Sequence, residues 1–206
     1  MSSKIYTPSR RELLKGVTIG AVGYTLGSML IHPKEAMGQS IEDNLEKASM
    51  EKRWGFASGA LAYFQVTWFK TLLDTRGREQ LIEEMKKRSP QWALNDKKFV
   101  EGLGITASDA RSAASMIATA VTIAYGPKQK FEIEEATAEK ARVKNLQCAF
   151  WNNAQARKIS DDLCSFHSAL YWPSFAKAIN PNLKCTMVKS RPLGDSVCEW
   201  VIELKA

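Results

Sequence analysis

The amino-acid sequence predicts an α+β domain, with a helical amino-terminal half packed with a small antiparallel β-sheet from the carboxy-terminal third. Three observations predict this class. Apolar residues recur at three- and four-residue spacing from Ile41 to Gly126. They then alternate with charged residues between Lys130 and Cys148, and alternation returns from Leu183 to Leu204. Helices followed by strands, rather than alternating with them, favour α+β over α/β.

The first helical stretch is expected to form a helix pair that breaks near Gly55 to Gly59. Two short amphipathic helices follow, REQLIEEMKKR and PQWALNDKKFVEGLG. Proline is common at the first position of a helix, so Pro90 opens the second of these, and Gly102 or Gly104 ends it.

The last helix of this half, TASDARSAASMIATAVTIAYG, is nearly apolar and is therefore expected at the centre of the domain. Thr106 or Ser108 is predicted to cap it, and the Gly126-Pro127 pair to stop it.

The carboxy-terminal third predicts two hairpins with helices between them. The segments KFEIEEATAEKARVKNLQC and LKCTMVKSRPLGDSVCEWVIEL supply two strands each, and Cys198, Trp200, Ile202 and Leu204 share one face of the last strand. FWNNAQARKI and SDDLCSFHSALYWPSFAKAI are predicted helices, the second capped by Ser160 and kinked or divided at Pro173.

Residues 1–38 have the layout of an export signal. Arg10 and Arg11 precede the uncharged run VTIGAVGYTLGSMLI, and small residues at Ala36 to Gly38 predict cleavage after Gly38. The segment SRRELLK resembles the twin-arginine motif, which implies use of the twin-arginine export machinery and a periplasmic or otherwise extracytoplasmic location. A retained anchor is the alternative, but this apolar run is shorter than the ~20 residues that span a bilayer.

Residues 39–206 are then expected to form a single domain, with no stable membrane span after cleavage. Twin-arginine substrates are exported folded, which implies that the protein matures in the cytoplasm, where such substrates often acquire a metal, a cofactor or a partner. Without residues 1–38 the formal charge falls from +7 to +4, with 24 basic against 20 acidic residues. These charges are scattered, so the sequence does not indicate nucleic-acid binding.

The carboxy-terminal third also contains all four cysteines and one of the two histidines. Cys164 and His167, three residues apart on the predicted helix, lie on one face together with Asp161, whose carboxylate could orient the imidazole. Cys148 ends one predicted strand and Cys198 lies in the last strand facing the same way as Trp200, so the four residues could converge where this helix meets the sheet. Such a set could hold a divalent metal such as zinc, or use a cysteine as nucleophile and His167 as its base.

Two structural interpretations of the cysteines stay open beside the chemical one. Cysteine is among the most buried residue types and packs as a small apolar group. An exported protein also reaches an oxidising compartment, where an even number of cysteines permits disulfides. No CxxC pair or zinc-finger spacing decides between them.

The carboxy-terminal pattern resembles the family of L-2-amino-thiazoline-4-carboxylic acid hydrolases. The segments that carry the resemblance are QCAFW with Cys148, DDLCSFH with Cys164, INPNL, and LGDSVCEWVIEL with Cys198. His167 departs from the pattern, which suggests aspartate there, and Cys185 has no counterpart in it.

The resemblance implies a hydrolase that opens a cyclic amidine or thiazoline substrate by breaking a ring C–N bond. Under this interpretation Cys164 or Cys148 attacks the substrate or binds a metal, His167 moves the proton, and Cys198 completes the site. The competing prediction is a non-catalytic ligand-binding or accessory subunit, exported with an oxidoreductase partner. A cysteine-lined small-molecule sensor is a third interpretation, but no signalling module is recognisable in the sequence.

Overall fold

The structure is a computed structural model that describes residues 46–205. Contacts divide the chain into residues 1–49 and 50–206, and the five helices and four strands of the fold belong to the second unit. The predicted export signal, its arginines Arg10 and Arg11 and the cleavage after Gly38 lie outside the described residues. None of the helices within residues 46–205 has the length and apolarity needed to cross a membrane.

Two long helices begin this unit, α1 at Met50–Arg76 and α2 at Arg78–Gly102. The predicted break in α1 at Gly55 to Gly59 is wrong, because residues spaced by four along one face, from Ser58 to Phe69, are buried and hold the helix continuous. The predicted start at Pro90 is also wrong, since Pro90 lies inside α2. Buried side chains on both sides of Pro90 offset the cost of ~3 kcal/mol of an interior proline.

The apolar helix α3, Ala110–Tyr125, lies at the centre of the unit as predicted. Its cap is Asp109 rather than Thr106 or Ser108: the Ser112 amide donates to Asp109 Oδ1 at 2.8 Å. Gly126 ends the helix with a φ of 81°, a conformation that favours glycine. Ser58 of α1 lies against Gly126, so the same glycine allows α1 and α3 to approach closely.

The sheet consists of β1 (Lys130–Glu134), β2 (Lys140–Gln147), β3 (Leu183–Lys189) and β4 (Cys198–Leu204). Its order is β1-β2-β4-β3 and every neighbouring pair is antiparallel, so both predicted hairpin segments form strands and the α+β class is confirmed. In the last strand, Cys198, Trp200 and Ile202 are buried on the inner face as the alternation predicts.

Two shorter helices connect the two halves of the sheet, α4 at Ala149–Ala156 and α5 at Ser168–Ile179. The predicted helix from Ser160 is wrong over residues 160–167, which are irregular. The Asp162 carboxylate accepts hydrogen bonds from the amides of Cys164 and Ser165, both at 3.1 Å, and so competes with helical pairing. Pro173 lies within α5 and does not divide it.

Buried side chains form two apolar clusters. The first joins α3 and α5 to the inner face of the sheet, and the second joins α1, α2 and α4 to residues 163–166. Trp92 and Tyr125 pack against both clusters, and a cavity opens where the clusters meet.

Candidate ligand-binding site

The cavity has a volume of about 340 Å³ and is lined by all five helices, by three of the strands and by the segments between them. Its wall is mostly aromatic and aliphatic. The volume lies within the range of ~300–1,000 Å³ that is usual for small-molecule sites.

Four residues singled out in the sequence, Cys148, Cys164, His167 and Cys198, all line this cavity. They arrive from different places in the fold. Cys148 precedes α4, Cys164 and His167 belong to the irregular segment before α5, and Cys198 begins β4. The helical face that was expected to join Cys164 and His167 does not exist, so tertiary packing rather than helical spacing brings them to one wall.

The cysteines are free, buried thiols, and no disulfide links them. Burial raises the pKa of each thiol, that of Cys164 well above its usual value, so all are protonated near neutral pH. Two have structural partners: Cys148 Sγ accepts a hydrogen bond from the Trp151 amide at 3.3 Å, and Cys198 Sγ accepts one from the Arg191 amide at 3.4 Å. Cys185, which had no counterpart in the family pattern, lies on β3 outside the cavity.

The predicted metal arrangement is not found. Within residues 46–205, no group of three or more His, Cys, Asp or Glu side chains is placed to hold a metal ion. Cys148, Cys164, His167 and Cys198 therefore share a cavity without forming a zinc site.

Aromatic rings enclose the imidazole of His167. The ring centroids of Phe69 and Phe150 lie 5.0 and 5.2 Å from that of His167, and this burial lowers the histidine pKa to about 4. The imidazole is therefore neutral at physiological pH and carries a proton on only one nitrogen.

Tyr125 determines which nitrogen of His167 carries the proton. The hydroxyl of Tyr125 donates its single hydrogen to Gln65 Oε1, which can only accept. The Tyr125 oxygen therefore accepts from His167 Nε2, 2.9 Å away. Nδ1 is left as an acceptor, and this buried atom has no hydrogen-bond partner among residues 46–205.

A second cavity residue, Trp200, has an unsatisfied polar atom of the opposite kind. Its indole ring stacks on Trp172, with centroids 4.3 Å apart and planes 12° from parallel, and both rings belong to the cavity wall. The Trp200 Nε1–H is a buried donor with no partner in the part of the chain that the structure describes. Two residues of the cavity wall thus each contain a buried polar atom that is unmatched within the described residues, an acceptor on His167 and a donor on Trp200.

Two other polar side chains of the wall are hydrogen-bonded to each other. Tyr171 donates to Asp96 Oδ2 at 2.5 Å. Burial raises the pKa of the Asp96 carboxyl, and the hydrogen bond from Tyr171 partly opposes that effect. Among the described residues that line the cavity, none is a lysine or an arginine.

The role predicted for Asp161 does not fit its position. Asp161 forms an ion pair with Lys70 at 3.4 Å and does not line the cavity. Tyr125, at the end of α3, orients the imidazole instead. Sequence reasoning missed Tyr125 because 42 residues separate it from His167, and only the packing of α3 brings the two side chains together.

Comparison with known proteins identifies no family. No family model and no curated protein matches the chain. The fold is similar to the "crystal structure of the phenol-responsive sensory domain of the transcription activator PoxR with Phenol", with a TM-score of 0.52 and 8% identity over 69% of this chain and 74% of that one. Such low identity shows a shared fold alone, and the resemblance to the thiazoline hydrolases stays a prediction.

Proposed function

We propose that residues 50–205 bind a small, uncharged aromatic molecule bearing a hydroxyl group, without chemical conversion. The observation that carries the proposal is the pair of unmatched buried atoms, His167 Nδ1 and Trp200 Nε1, on two side chains of a cavity wall that is mostly aromatic and aliphatic. Each buried polar atom without a partner costs ~1–3 kcal/mol, which a ligand with matching groups recovers. A hydroxyl can donate to an imidazole nitrogen and can also accept from an indole N–H.

The size and the charge of the cavity narrow the ligand class. A dry cavity of ~150 Å³ holds benzene, so about 340 Å³ accommodates a substituted ring or two fused rings. With no lysine or arginine in the described wall and a neutral His167, an anionic ligand would be buried without a countercharge. The sensory domain of similar fold is phenol-responsive, which agrees with this ligand class.

Calorimetric titration of the full chain with phenol, benzene and benzoate tests the proposal. We expect phenol to bind about 10-fold more tightly than benzene, because two hydrogen bonds add ~0.5–1.5 kcal/mol each, and benzoate to bind far more weakly than either. The variant His167→Phe should retain only the hydrogen bond from Trp200, so its preference for phenol over benzene should fall several-fold. Equal affinity for benzoate and phenol, or no binding of any of the three, would sink the proposal.

Tryptophan variants provide a matched control. Trp200→Phe should weaken phenol binding several-fold, since it removes the unmatched donor and retains an aromatic ring. Trp68→Phe makes the same chemical change outside the cavity wall and should leave the affinity unchanged. If both variants bind phenol like the parent chain, Trp200 Nε1 does not contact the ligand.

Hydrolysis is the second candidate, because Cys164 and His167 line the same cavity. It requires a deprotonated thiol or an activated water, whereas burial disfavours the thiolate. The substrate implied by the family resemblance also contains a carboxylate, for which the described wall offers no cation. Turnover of an aminothiazoline carboxylate, lost in Cys164→Ser and in Cys198→Ser and kept in Cys185→Ser, would establish hydrolysis over simple binding.

An accessory role in an exported oxidoreductase complex is compatible with ligand binding, and it depends on the export signal predicted at residues 1–38. Purification from the native host tests it. Recovery of a large oxidoreductase subunit with this chain is the expected result for an accessory subunit, and recovery of the chain without one argues against that role.

A further inference from the structure

The solvent-facing side of α1 is apolar over several turns. We define the α1 face as Phe56, Ala57, Ala60, Tyr63, Phe64 and Thr67, all exposed residues. These positions follow the spacing i, i+1, i+4, i+7, i+8 and i+11 from Phe56, so they lie on one side of a helix with 3.6 residues per turn. The buried side of the same helix, with Ala62, Val66 and Phe69, packs on the core of the unit, so α1 is apolar on opposite sides.

Three aromatic rings account for most of the α1 face. Phe56 is 82% exposed, Phe64 62% and Tyr63 52%. The guanidinium of Arg157 lies 4.0 Å from the Tyr63 ring centroid and borders the face on that side. With roughly 200 Å² per aromatic side chain, these rings leave about 400 Å² of apolar surface in contact with water. A contiguous patch of that size is unusual for a monomer that has no interaction site.

We infer that a second copy of this chain covers the α1 face, in a symmetric dimer built on two α1 helices. The available area agrees with this occupant. The three rings together with Ala57, Ala60 and Thr67 offer about 500 Å² per copy, so an isologous contact buries roughly 1,000 Å², the lower bound for a specific interface.

The charges of the chain agree with the same occupant. No charged residue occurs over the 16 positions from Trp54 to Phe69, a length that only the stretch from Ser112 to Pro127 equals within residues 46–205. Because the chain has a net charge of +7, two identical copies repel each other wherever charged surfaces meet. They avoid that cost at a contact made of aromatic and small uncharged side chains. Since the interface is small, the dimer is expected to dissociate in the micromolar range.

Sedimentation equilibrium of the full chain over a wide range of concentrations tests the inference. The average mass should rise with concentration from 23.0 kDa toward twice that value. Phe56→Asp/Phe64→Asp should remain monomeric at every concentration and fold normally, because both side chains are exposed in the single chain. The matched control is Phe99→Asp on α2, which adds a charge at a ring that is 55% exposed outside the α1 face and should dimerise like the parent.

Crosslinking locates the contact independently. All four native cysteines are buried, so a disulfide formed between two chains can be assigned to an added surface cysteine. Under mild oxidation, Ala60→Cys should form a disulfide-linked dimer, because Ala60 lies in the middle of the α1 face. Gln91→Cys, on the exposed side of α2, should not form one.

Several outcomes would overturn the inference. These are a parent chain that remains monomeric at the highest concentration, a dimer that survives Phe56→Asp/Phe64→Asp, and a dimer that only Phe99→Asp abolishes. A monomeric parent chain that binds vesicles of phosphatidylcholine and phosphatidylglycerol through the α1 face would assign this surface to lipid. Phenol titration is independent of all these measurements, so failure of the dimer does not affect the ligand proposal.

Discussion

His167 Nε2 and the hydroxyl oxygen of Tyr125 lie 2.9 Å apart at the meeting point of the two apolar clusters. This contact joins the end of α3 to the start of α5 and leaves His167 Nδ1 as an unmatched acceptor in the cavity wall. A buried, neutral histidine affects stability as well as binding, and its effect depends on pH in a predictable direction.

Stability should fall as the pH decreases below 6.5. Burial lowers the pKa of folded His167 to about 4, while the unfolded chain has the ordinary value near 6.5. Between these two values only the unfolded state binds the proton, so the folded state loses on the order of 3 kcal/mol by pH 4 and nothing above pH 6.5. Urea unfolding at several pH values should show a shallower loss in His167→Gln, and equal slopes in the two proteins would contradict the assignment.

Removal of Arg142 should destabilise the sheet, because it takes away one of the two cations that pair with the buried Glu199 carboxylate. Glu199 is fully buried on β4, and burial alone would raise its pKa, but hydrogen bonds from Arg142 and Lys189 outweigh burial and hold the pKa below the usual value. Arg142→Leu leaves that carboxylate with Lys189 alone, at 3.0 Å.

The double variant Arg142→Leu/Glu199→Leu should recover much of that loss, because the buried charge leaves together with its partner. Free energies of unfolding in urea measure both effects. A double variant less stable than Arg142→Leu would refute the explanation.

Two glycine-to-alanine changes should have opposite effects. A Cβ at Gly126 would lie 2.0 Å from Ser58 Oγ, and the φ of 81° disfavours alanine, so Gly126→Ala should cost about 2–4 kcal/mol. A Cβ at Gly59 meets no atom within 4 Å in the middle of α1, so Gly59→Ala should stabilise by about 0.5–1 kcal/mol. Thermal unfolding of the two variants gives the comparison, and equal shifts would contradict it.

The four cysteines should react slowly with a thiol reagent in the folded protein and rapidly after unfolding. All are buried, and burial raises the pKa of every thiol, so little thiolate is present to react. Time courses in buffer and in denaturant measure the difference. Rapid labelling of Cys164 in the folded chain would instead favour the nucleophilic interpretation. Loss of the rapid labelling in Cys164→Ser would identify Cys164 as the reactive residue.

Local patterns in the sequence predicted much of the fold. Strand alternation located β1 to β4, and the uninterrupted apolar composition of α3 placed that helix at the centre. The errors occurred where packing overrides a local preference. Gly55, Gly59 and Pro90 are weak positions in a helix, yet α1 and α2 run through them because buried faces on both sides hold each helix together.

The candidate site was predicted in part, and for a partly wrong reason. Cys148, Cys164, His167 and Cys198 do line one cavity, but the helix expected to join Cys164 and His167 is absent, since the Asp162 carboxylate takes the amides that would begin it. Tyr125 was not predicted, because the residues that neighbour His167 in the sequence give no indication of a hydrogen-bond partner 42 positions away.

The sequence by itself determined the α+β class, the antiparallel strands and the inward face of β4, because these follow from the spacing of apolar residues along a short stretch of chain. Only the tertiary structure decided that the thiols are neutral, that His167 has a lowered pKa, and that His167 Nδ1 and Trp200 Nε1 face no protein partner. Protonation and hydrogen bonding depend on burial and on the atoms that distant segments bring within a few ångströms, and those neighbours exist only after the chain has folded.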